Sequence, residues 1–313
     1  ETLSRWMFGF LLISLTGAHG LNNFPEKCMN VAKPVTLTCG AKSDETVTWK
    51  FNGEVIEESE DNVQKKGQNL IVSEVDTPML GAYSCWRGGE MLSSTYLFLE
   101  DEEGDDLDTL LRCRAKSYDC SFSCVWTNSK YTAVRLRLGH ECREDHESCN
   151  WISSNSKRDS NGGFQFEVSH SLSPYAEEST MLELHAQAID NDSMLRRTKR
   201  FYLRDIVQPD SPQIVRCQEV EQDLNVTIDP PPSWSVPHSF FSLEHEIEYI
   251  LKDDGRTERS SSALIPKRIS KLRVRSRDSL VLSPWSQWTP WKNENDVISA
   301  YVRTLTSKKS ILT

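Results

Sequence analysis

Two histidines and two cysteines lie within ten residues of this sequence, and together they could bind a zinc ion. These residues are His140, Cys142, His146 and Cys149. Zinc is bound by imidazole and thiolate groups, but the spacing does not match a zinc finger or ribbon, and no hydrophobic module surrounds the four residues. In an oxidising compartment Cys142 and Cys149 would instead form a disulfide. We favour this disulfide, with both histidines on a charged surface loop, and expect no metal and no cofactor.

The sequence contains none of the common catalytic motifs. It has no Gly-x-Ser-x-Gly elbow, no P-loop, no dinucleotide-binding glycine pattern and no His-Glu-x-x-His motif. The net charge of −10 at pH 7 argues against nucleic-acid binding, because domains that bind nucleic acid are usually basic. We therefore predict a protein that is not an enzyme, has no catalytic residues and binds no nucleic acid.

The first twenty residues have the features of a secretory signal peptide. Arg5 precedes an apolar run that begins at Met7, and Ala18-His19-Gly20 has small residues at the spacing of a signal-peptidase site. A buried helix or short anchor is the alternative, but the run is too short to span a bilayer, and no later stretch reaches the roughly 18–20 apolar residues that a span needs. We predict a signal peptide at 1–20 and a secreted, extracellular product without membrane insertion.

Export would account for the cysteine content and for two glycosylation motifs. The chain has nine cysteines, which an oxidising compartment favours as disulfides, and because nine is odd at least one is free or pairs with another chain. Asn191-Asp-Ser193 and Asn225-Val-Thr227 match the acceptor motif for N-glycosylation. We expect glycans at Asn191 and Asn225, although such short motifs also occur by chance.

The sequence predicts short β-strands as the elements that position the cysteines and the glycosylation motifs. Apolar and polar residues alternate in several stretches, which is the pattern of half-buried β-strands, and long helical patterns are missing. Examples are 35–39, 134–138, 164–168, 182–188, 224–228 and 243–251. Many short strands separated by polar turns predict an all-β chain made of tandem β-sandwiches.

Two breaks in this pattern divide the chain into three predicted sandwiches. The acidic run at 100–108 lacks apolar periodicity and also lacks the ligand spacing of a calcium loop, so we interpret it as a linker. Two prolines stiffen a second connector at 205–212. The predicted sandwiches lie at 21–101, 108–207 and 210–293, and a polar tail follows at 294–313.

The first sandwich carries the framework of an immunoglobulin domain. Trp49 lies between Cys39 and Cys85, and Tyr83 precedes the second cysteine by two residues. In this framework the disulfide crosses the two sheets, the indole packs on it, and the tyrosine hydroxyl holds a corner. We predict a Cys39–Cys85 disulfide. Met79 departs from the pattern, because many such domains have an aspartate there.

The second sandwich begins with a predicted hairpin that two cysteines bracket. Cys113 and Cys124 are these cysteines, and Trp126 points to the same face as Cys124, so that it can cover the bridge. Cys120 is close enough in sequence to compete for Cys113, which leaves a second pairing open. The cysteines without an assigned partner, any of which could bond another chain, are Cys28, Cys120 and Cys217.

The third sandwich places basic and aromatic side chains in two adjacent rows. The basic row has period two, so it faces one side of one strand, and its members are Lys271, Arg273, Arg275 and Arg277. The aromatic row has period three, which polyproline II geometry would align on one edge, and its members are Trp285, Trp288 and Trp291. Guanidinium groups that lie between indole faces contribute about 0.5–2 kcal/mol each. We therefore predict an interleaved ladder; the alternative for the basic row is a heparin or nucleic-acid patch.

The segment Trp285-Ser286-Gln287-Trp288-Thr289 resembles the Trp-Ser-x-Trp-Ser box of class I cytokine receptors, with Thr289 retaining the hydroxyl of the final serine. The hairpin cysteines followed by Trp126 are similar to the cysteine signature of the first fibronectin type III domain of these receptors, and 205–212 resembles their interdomain hinge. Together with an immunoglobulin domain and no membrane anchor, these features resemble the secreted, receptor-like beta subunits of the interleukin-12 family. Further stretches that support the resemblance are 87–93, 201–206 and 234–243.

The resemblance implies a role in a heterodimeric immune cytokine. The chain would pair with a four-helix-bundle cytokine alpha subunit, and the pair would signal through transmembrane receptor chains on lymphocytes. An arginine of the alpha subunit would enter a pocket with aromatic walls and acidic groups, at the elbow between the two fibronectin type III-like domains. The matching residues are Tyr118, Pro174, Tyr175, Ala176, Glu177, Phe240, Phe241 and Asp278.

The roles of individual pocket residues stay open at this point. Asp278 or Glu177 could supply the carboxylate for a guanidinium group. From spacing alone, Phe240 and Phe241 could be core residues, and Asp278 could cap a turn.

The chain departs from its mammalian relatives in its cysteines. These relatives use a cysteine just before the Pro-x-Ala-Glu segment to bond the alpha subunit, whereas Ser171-Leu-Ser173 stands here. The third domain also lacks the cysteine pair usual in these relatives, with Pro266 where one of the two would stand. The partner would then be held without that disulfide or through another cysteine. A soluble receptor alpha chain or decoy is the alternative function, an adhesion module that binds matrix polysaccharide is a weaker one, and the resemblance also allows a homodimer.

Overall fold

The structure is a computed structural model that describes residues 23–31, 34–42, 45–57, 62–73, 75–102, 106–139, 150–154 and 163–296. Strands are the main regular structure of these residues, and the named helices are two one-turn α-helices and one 3-10 helix. The predicted all-β fold of tandem sandwiches is confirmed. The predicted signal peptide, the His140–Cys149 cluster and most of the predicted tail lie outside the described residues.

The strands begin and end as follows. They are β1 (Cys28–Val31), β2 (Val35–Leu37), β3 (Thr48–Phe51), β4 (Glu54–Val55), β5 (Val63–Lys66), β6 (Asn69–Val72), β7 (Gly81–Arg87), β8 (Glu90–Glu100), β9 (Leu111–Arg114), β10 (Ser121–Trp126), β11 (Ala133–Leu138), β12 (Ile152–Ser153), β13 (Phe164–Ser169), β14 (Leu182–Asp190), β15 (Ser193–Phe201), β16 (Gln213–Val220), β17 (Asp223–Asp229), β18 (Leu243–Leu251), β19 (Thr257–Ser260), β20 (Leu264–Pro266), β21 (Ile269–Asp278) and β22 (Lys292–Asn293). The 3-10 helix is Thr77–Met79, and the α-helices are α1 (Leu107–Leu110) and α2 (Leu203–Ile206).

The chain forms two compact units. The first consists of Glu1–Asp105, Asn128–Arg135 and Ala186–Arg197, and the second of Asp106–Thr127, Leu136–His185 and Thr198–Thr313, each as far as its residues are described. The domain boundaries that we inferred from the two breaks in the sequence pattern, at 100–108 and 205–212, stay a prediction.

The first unit is built around the predicted immunoglobulin framework. One sheet has the order β2-β6-β5, and strands β4, β3, β7 and β8 pair in that order in another. Their inward residues surround the Cys39–Cys85 disulfide, on which Trp49 packs in the buried core. The Tyr83 hydroxyl donates a 2.8 Å hydrogen bond to the Met79 carbonyl oxygen. Because the backbone of residue 79 accepts this bond, the corner tolerates methionine in place of aspartate.

The second unit contains the cysteine hairpin. Strands β13, β10 and β9 form an antiparallel sheet in that order. Cys113 lies directly opposite Cys124, and the two form a disulfide with a Cα–Cα distance of 4.1 Å. Trp126, two residues further on the same face, is fully buried. The pairing of Cys113 with Cys124 leaves Cys120 as an exposed free thiol.

The second unit also contains two sheets that pack face to face. Their strand orders are β16-β17-β20 and β19-β18-β21-β22. Alternate residues of β17, β18 and β21 point inward, and the buried core between the sheets includes Leu224, Val226, Ile247, Leu272 and Val274. Because side chains alternate along a strand, the other residues of β18 and β21 form a second, outer face, which carries the basic row.

Candidate functional site

The outer face of β21 carries a ladder of alternating cationic and aromatic side chains. Its rungs run in the order Lys271, Trp291, Arg273, Trp288, Arg275, Trp285, Arg277. Each guanidinium carbon lies 4.4–4.8 Å from the centroid of the neighbouring indole, which is the range of a favourable cation–π contact. The structure therefore brings together the basic row, which has a period of two, and the aromatic row, which has a period of three, as the sequence predicted.

A row of glutamates on the neighbouring strand β18 pairs with the arginines of the ladder. Strand β18 pairs with β21 so that Glu244, Glu246 and Glu248 lie opposite Arg277, Arg275 and Arg273. The Nε atoms of these arginines donate to the facing carboxylates at 2.8, 2.6 and 2.6 Å. Sequence reasoning missed these partners, although the period-two glutamates of β18 were a visible signal for a row that complements the arginines.

The hydroxyl groups of the tryptophan segment attach it to the backbone of β21. The N–H groups of Asp278, Ser276 and Val274 donate hydrogen bonds, each of 3.0 Å, and the acceptors are Ser283 Oγ, Ser286 Oγ and Thr289 Oγ1. In return, Ser286 N–H and Thr289 N–H donate to the carbonyl oxygens of Ser276 and Val274. Hydroxyl residues at every third position of the tryptophan segment therefore face N–H groups at every second position of β21. These hydrogen bonds hold the segment against β21 up to its last residue, Asp278.

An aromatic pocket of about 290 Å³ lies at that end of β21, within the second unit. All eight residues that the family resemblance singled out are in its wall: Tyr118, Pro174, Tyr175, Ala176, Glu177, Phe240, Phe241 and Asp278. Four of them form a connected ring cluster. The Tyr118 and Phe241 rings stack at 5.5 Å, and Tyr175 contacts Phe240 and Phe241 at 5.5 and 5.6 Å.

The aromatic walls differ in how far they are exposed. Phe241 is buried, and its carbonyl oxygen accepts a 2.9 Å hydrogen bond from Trp234 Nε1, so it also belongs to the packed interior. Phe240 and Tyr175 are largely exposed. Tyr175 is nevertheless held in place, because its hydroxyl donates to the Val236 carbonyl oxygen at 3.2 Å. An exposed but positioned aromatic pair is typical of a protein–protein contact.

Asp278 is 3% exposed and is already bound to protein groups. Its Oδ1 accepts the backbone N–H groups of Leu280 and Val281 at 2.7 and 2.9 Å, so it does cap a turn. Its Oδ2 accepts the Tyr118 hydroxyl at 3.1 Å. Burial, followed by the charge of Asp278, raises the pKa of Tyr118 well above its usual range, which keeps the phenol protonated as the donor. Asp278 therefore organises the pocket floor.

A different carboxylate in the wall is only partly satisfied. Glu177 is exposed to solvent, whereas Glu178 is half-buried. Glu178 Oε1 accepts the backbone N–H of Arg204 at 3.1 Å. Glu178 Oε2 is buried and has no hydrogen-bond partner among the described residues. A buried carboxylate oxygen without a donor is costly, so Glu178 Oε2 is an unused acceptor in a wall where Arg204 is the cation already present; Arg204 Nη1 donates to the main-chain oxygen of Glu178 at 3.4 Å. The sequence motif pointed to its neighbour and did not single out Glu178.

The remaining predicted residues are distributed over both units. Cys28 is half-buried and Cys217 buried, and both are free thiols; burial raises the pKa of Cys217 to about 11. Asn191 lies exposed in the turn after β14, and Asn225 lies exposed within β17. Among the residues that the structure describes, no group of three His, Cys, Asp or Glu side chains is arranged to bind a metal ion. No helix in the same residues is long and apolar enough to cross a membrane.

Comparison with known proteins finds similarity to cytokine subunits. Residues 108–190 match the family model described as "Cytokine interleukin-12p40 C-terminus". The chain is 26% identical to interleukin-12 subunit beta of Felis catus over 284 residues, 26% identical to that of Homo sapiens over 283 residues and 27% identical to that of Macaca mulatta over 289 residues. Each comparison covers 81% of this chain and 84% of the relative. The resemblance inferred from the motifs is confirmed.

Proposed function

We propose that this chain, which is similar to interleukin-12 subunit beta over most of its length, is a secreted cytokine subunit that pairs with a four-helix-bundle alpha subunit. The resulting heterodimer would act on lymphocytes through transmembrane receptor chains. This role requires binding surfaces and no chemical step, which agrees with a protein that is not an enzyme.

The observation that carries the proposal is the aromatic pocket, in whose wall one carboxylate is only partly satisfied. Four connected rings provide walls that exclude water, and one buried oxygen of Glu178 lacks a donor. A guanidinium group would suit both features, because its planar face stacks on aromatic rings and its N–H groups donate to a carboxylate. The Glu178 side chain would have to turn toward it, since its free oxygen has almost no accessible surface here. An arginine of the alpha subunit is therefore the proposed occupant.

Glu178 is the proposed counter-charge in this pocket. The two candidates from the resemblance were Asp278 and Glu177. The three hydrogen bonds that Asp278 accepts already engage both of its oxygens, and Glu177 is exposed, where a charge pair contributes little. Asp278 then acts indirectly, since it positions the Tyr118 ring against which the guanidinium group would stack.

The proposed heterodimer is not linked through the position that its mammalian relatives use. The segment Ser171-Leu-Ser173 stands there, and Ser173 Oγ accepts the Tyr175 N–H at 3.4 Å. The exposed Cys120 is the described free thiol that another chain could reach. We therefore expect an association that is either non-covalent or linked through Cys120.

Co-expression with candidate four-helix-bundle subunits tests the proposal. The expected result is a secreted 1:1 complex that co-purifies, and non-reducing gels of the wild type and of Cys120→Ser show whether it is covalent. Adding each purified helical protein to the chain after secretion tests the alternative of a soluble receptor or decoy, which would bind reversibly under those conditions. Failure of every helical candidate in both formats would refute the proposed pairing.

A further inference from the structure

Asn225 lies at the centre of a sheet face that the proposed function does not use. It belongs to β17, the middle strand of the β16-β17-β20 sheet. Its neighbours Leu224 and Val226 are buried in the core, so Asn225 points outward, as does Thr227 of the same acceptor motif. The motif is therefore presented on the outer face of a rigid sheet.

The side chains around Asn225 include exposed apolar groups. Leu264 on β20 lies directly opposite Asn225 and is 48% exposed. Gln218 lies opposite on β16, and Val220, which is 41% exposed, is the diagonal neighbour on that strand. Directly opposed residues in antiparallel strands have Cβ atoms about 4.5–5.5 Å apart, within reach of a group attached to the asparagine.

This arrangement exposes an edge strand with an apolar side chain. Strand β20 is the last strand of its sheet, and Leu264 extends from it into solvent. Such an edge can pair with another chain, and proteins usually protect it with charge, proline or a covering group. Pro266 protects one end of β20, and the exposed Leu264 at its other end lies opposite the acceptor asparagine.

We propose that Asn225 carries an N-linked glycan whose first sugar residues lie on Leu264 and cover the outer face of the β16-β17-β20 sheet. A glycan is bulky and strongly hydrated, so it would block edge pairing. The C–H face of its first sugar would contact the leucine. Partner docking would then be confined to other surfaces, among them the aromatic pocket. The inference rests on the secretion part of the proposed function and is independent of the pairing with an alpha subunit.

The modification is a glycosyl transfer from a polyprenyl diphosphate-linked oligosaccharide in the secretory pathway. The bond between sugar C1 and the phosphate oxygen breaks, and a bond between C1 and Asn225 Nδ2 forms. The amide loses one proton to a base of the transferase, and the polyprenyl diphosphate leaves. The step involves no oxidation or reduction.

The site is tested with the chain alone, expressed in animal cells behind a heterologous signal peptide. Peptide mass spectrometry after enzymatic deglycosylation in ¹⁸O-water is applied to both secreted and cell-associated protein. We expect Asn225 to be converted to labelled aspartate in the wild type and in Thr227→Ser, and unmodified residue 225 in Thr227→Ala. Unlabelled Asn225 in both wild-type fractions would overturn the site, whatever the outcome of the assembly experiment.

The covering role is tested by self-association. Sedimentation velocity should show more self-association for Asn225→Gln than for the wild type, and the second substitution Leu264→Ser should reverse the effect. Asn191→Gln, which removes the other acceptor motif, serves as the matched control and should behave as the wild type. Equal self-association of the wild type and Asn225→Gln would contradict the covering role even if the glycan is present.

Discussion

The backbone N–H of Val274 donates a 3.0 Å hydrogen bond to Oγ1 of Thr289, and the Thr289 N–H donates a 2.9 Å bond to the Val274 carbonyl oxygen. Both residues are buried, so neither N–H could be satisfied by bulk water. A threonine thus performs the role of the final serine of the cytokine-receptor box, since both residues have the required hydroxyl group on the β-carbon.

Replacing Thr289 by valine removes the hydroxyl while preserving the shape of the side chain. The Val274 N–H would lose its acceptor in a buried position, which costs about 1–3 kcal/mol. Chemical denaturation of the purified chain should show this loss for Thr289→Val. Thr289→Ser, which keeps the hydroxyl, should stay within about 1 kcal/mol of the wild type. Equal stability of the valine and serine variants would contradict the assigned hydrogen bond.

Arg275 is the central rung of the ladder. Its guanidinium carbon lies 4.8 Å from the Trp285 ring and 4.4 Å from the Trp288 ring, and its Nε donates to Glu246 at 2.6 Å. We expect Arg275→Ala to lower the unfolding free energy by about 1–3 kcal/mol, through two cation–π contacts and one ion pair. Arg275→Lys should be intermediate, because the ammonium keeps the charge but lacks the planar fork.

Arg268 provides the matched control for this series. It also pairs with a carboxylate, Asp253, at 2.8 Å, but both side chains are well exposed, and no cation–π contact joins it to an indole of the described residues. Exposed pairs contribute little, so Arg268→Ala should cost less than about 1 kcal/mol. If Arg268→Ala and Arg275→Ala lowered the stability equally, the ladder would have no special energetic role.

The ladder was predictable from sequence because each of its rows has its own regular period. The same holds for the two described disulfides, since Cys39, Cys85 and Trp49 follow a framework spacing and Cys113 faces Cys124 across one hairpin. The pocket was not derivable in this way. Tyr118, Glu178 and Asp278 lie far apart in the chain, and only the resemblance to a family put two of them on one site. Glu178 could not be distinguished from Glu177, because adjacent residues in a loop show no period that reveals which one is buried.

His245 should contribute to the pH dependence of stability. It points inward from β18, and its Nδ1 lies 2.7 Å from Ser276 Oγ. Burial lowers the pKa of His245 below the usual histidine value of about 6.5. Below pH of about 6.5 the unfolded chain therefore binds this proton more readily than the folded chain, so stability falls as the pH falls.

The measurement is the unfolding free energy of the wild type and His245→Asn between pH 7.5 and pH 5. The asparagine cannot titrate, so the decrease with falling pH should be smaller in the variant. It should not vanish, because burial also lowers the pKa values of His170 and His185, which the variant keeps. An identical pH dependence of the two proteins would show that His245 does not titrate between these limits.

The proposal that Asp278 positions Tyr118 leads to a separate expectation for assembly. Asp278→Ala removes the acceptor for the Tyr118 hydroxyl and for two turn N–H groups, so association with the alpha subunit should weaken while the chain is still secreted. Co-purification at the wild-type level would count against this role. Tyr118→Phe, which removes the hydroxyl but keeps the ring, should weaken association less than Asp278→Ala.

The most direct test of the central claim is the affinity of Glu178→Gln for the alpha subunit that the co-expression experiment identifies. Loss of a desolvated, charge-assisted hydrogen bond should weaken binding by about 10- to 100-fold in a titration of the purified proteins. The adjacent variant Glu177→Gln, in which an exposed carboxylate is neutralised, should bind within about threefold of the wild type. An unchanged affinity of Glu178→Gln, or an equal loss in both variants, would contradict the account that Glu178 receives a cationic side chain of the partner in the aromatic pocket.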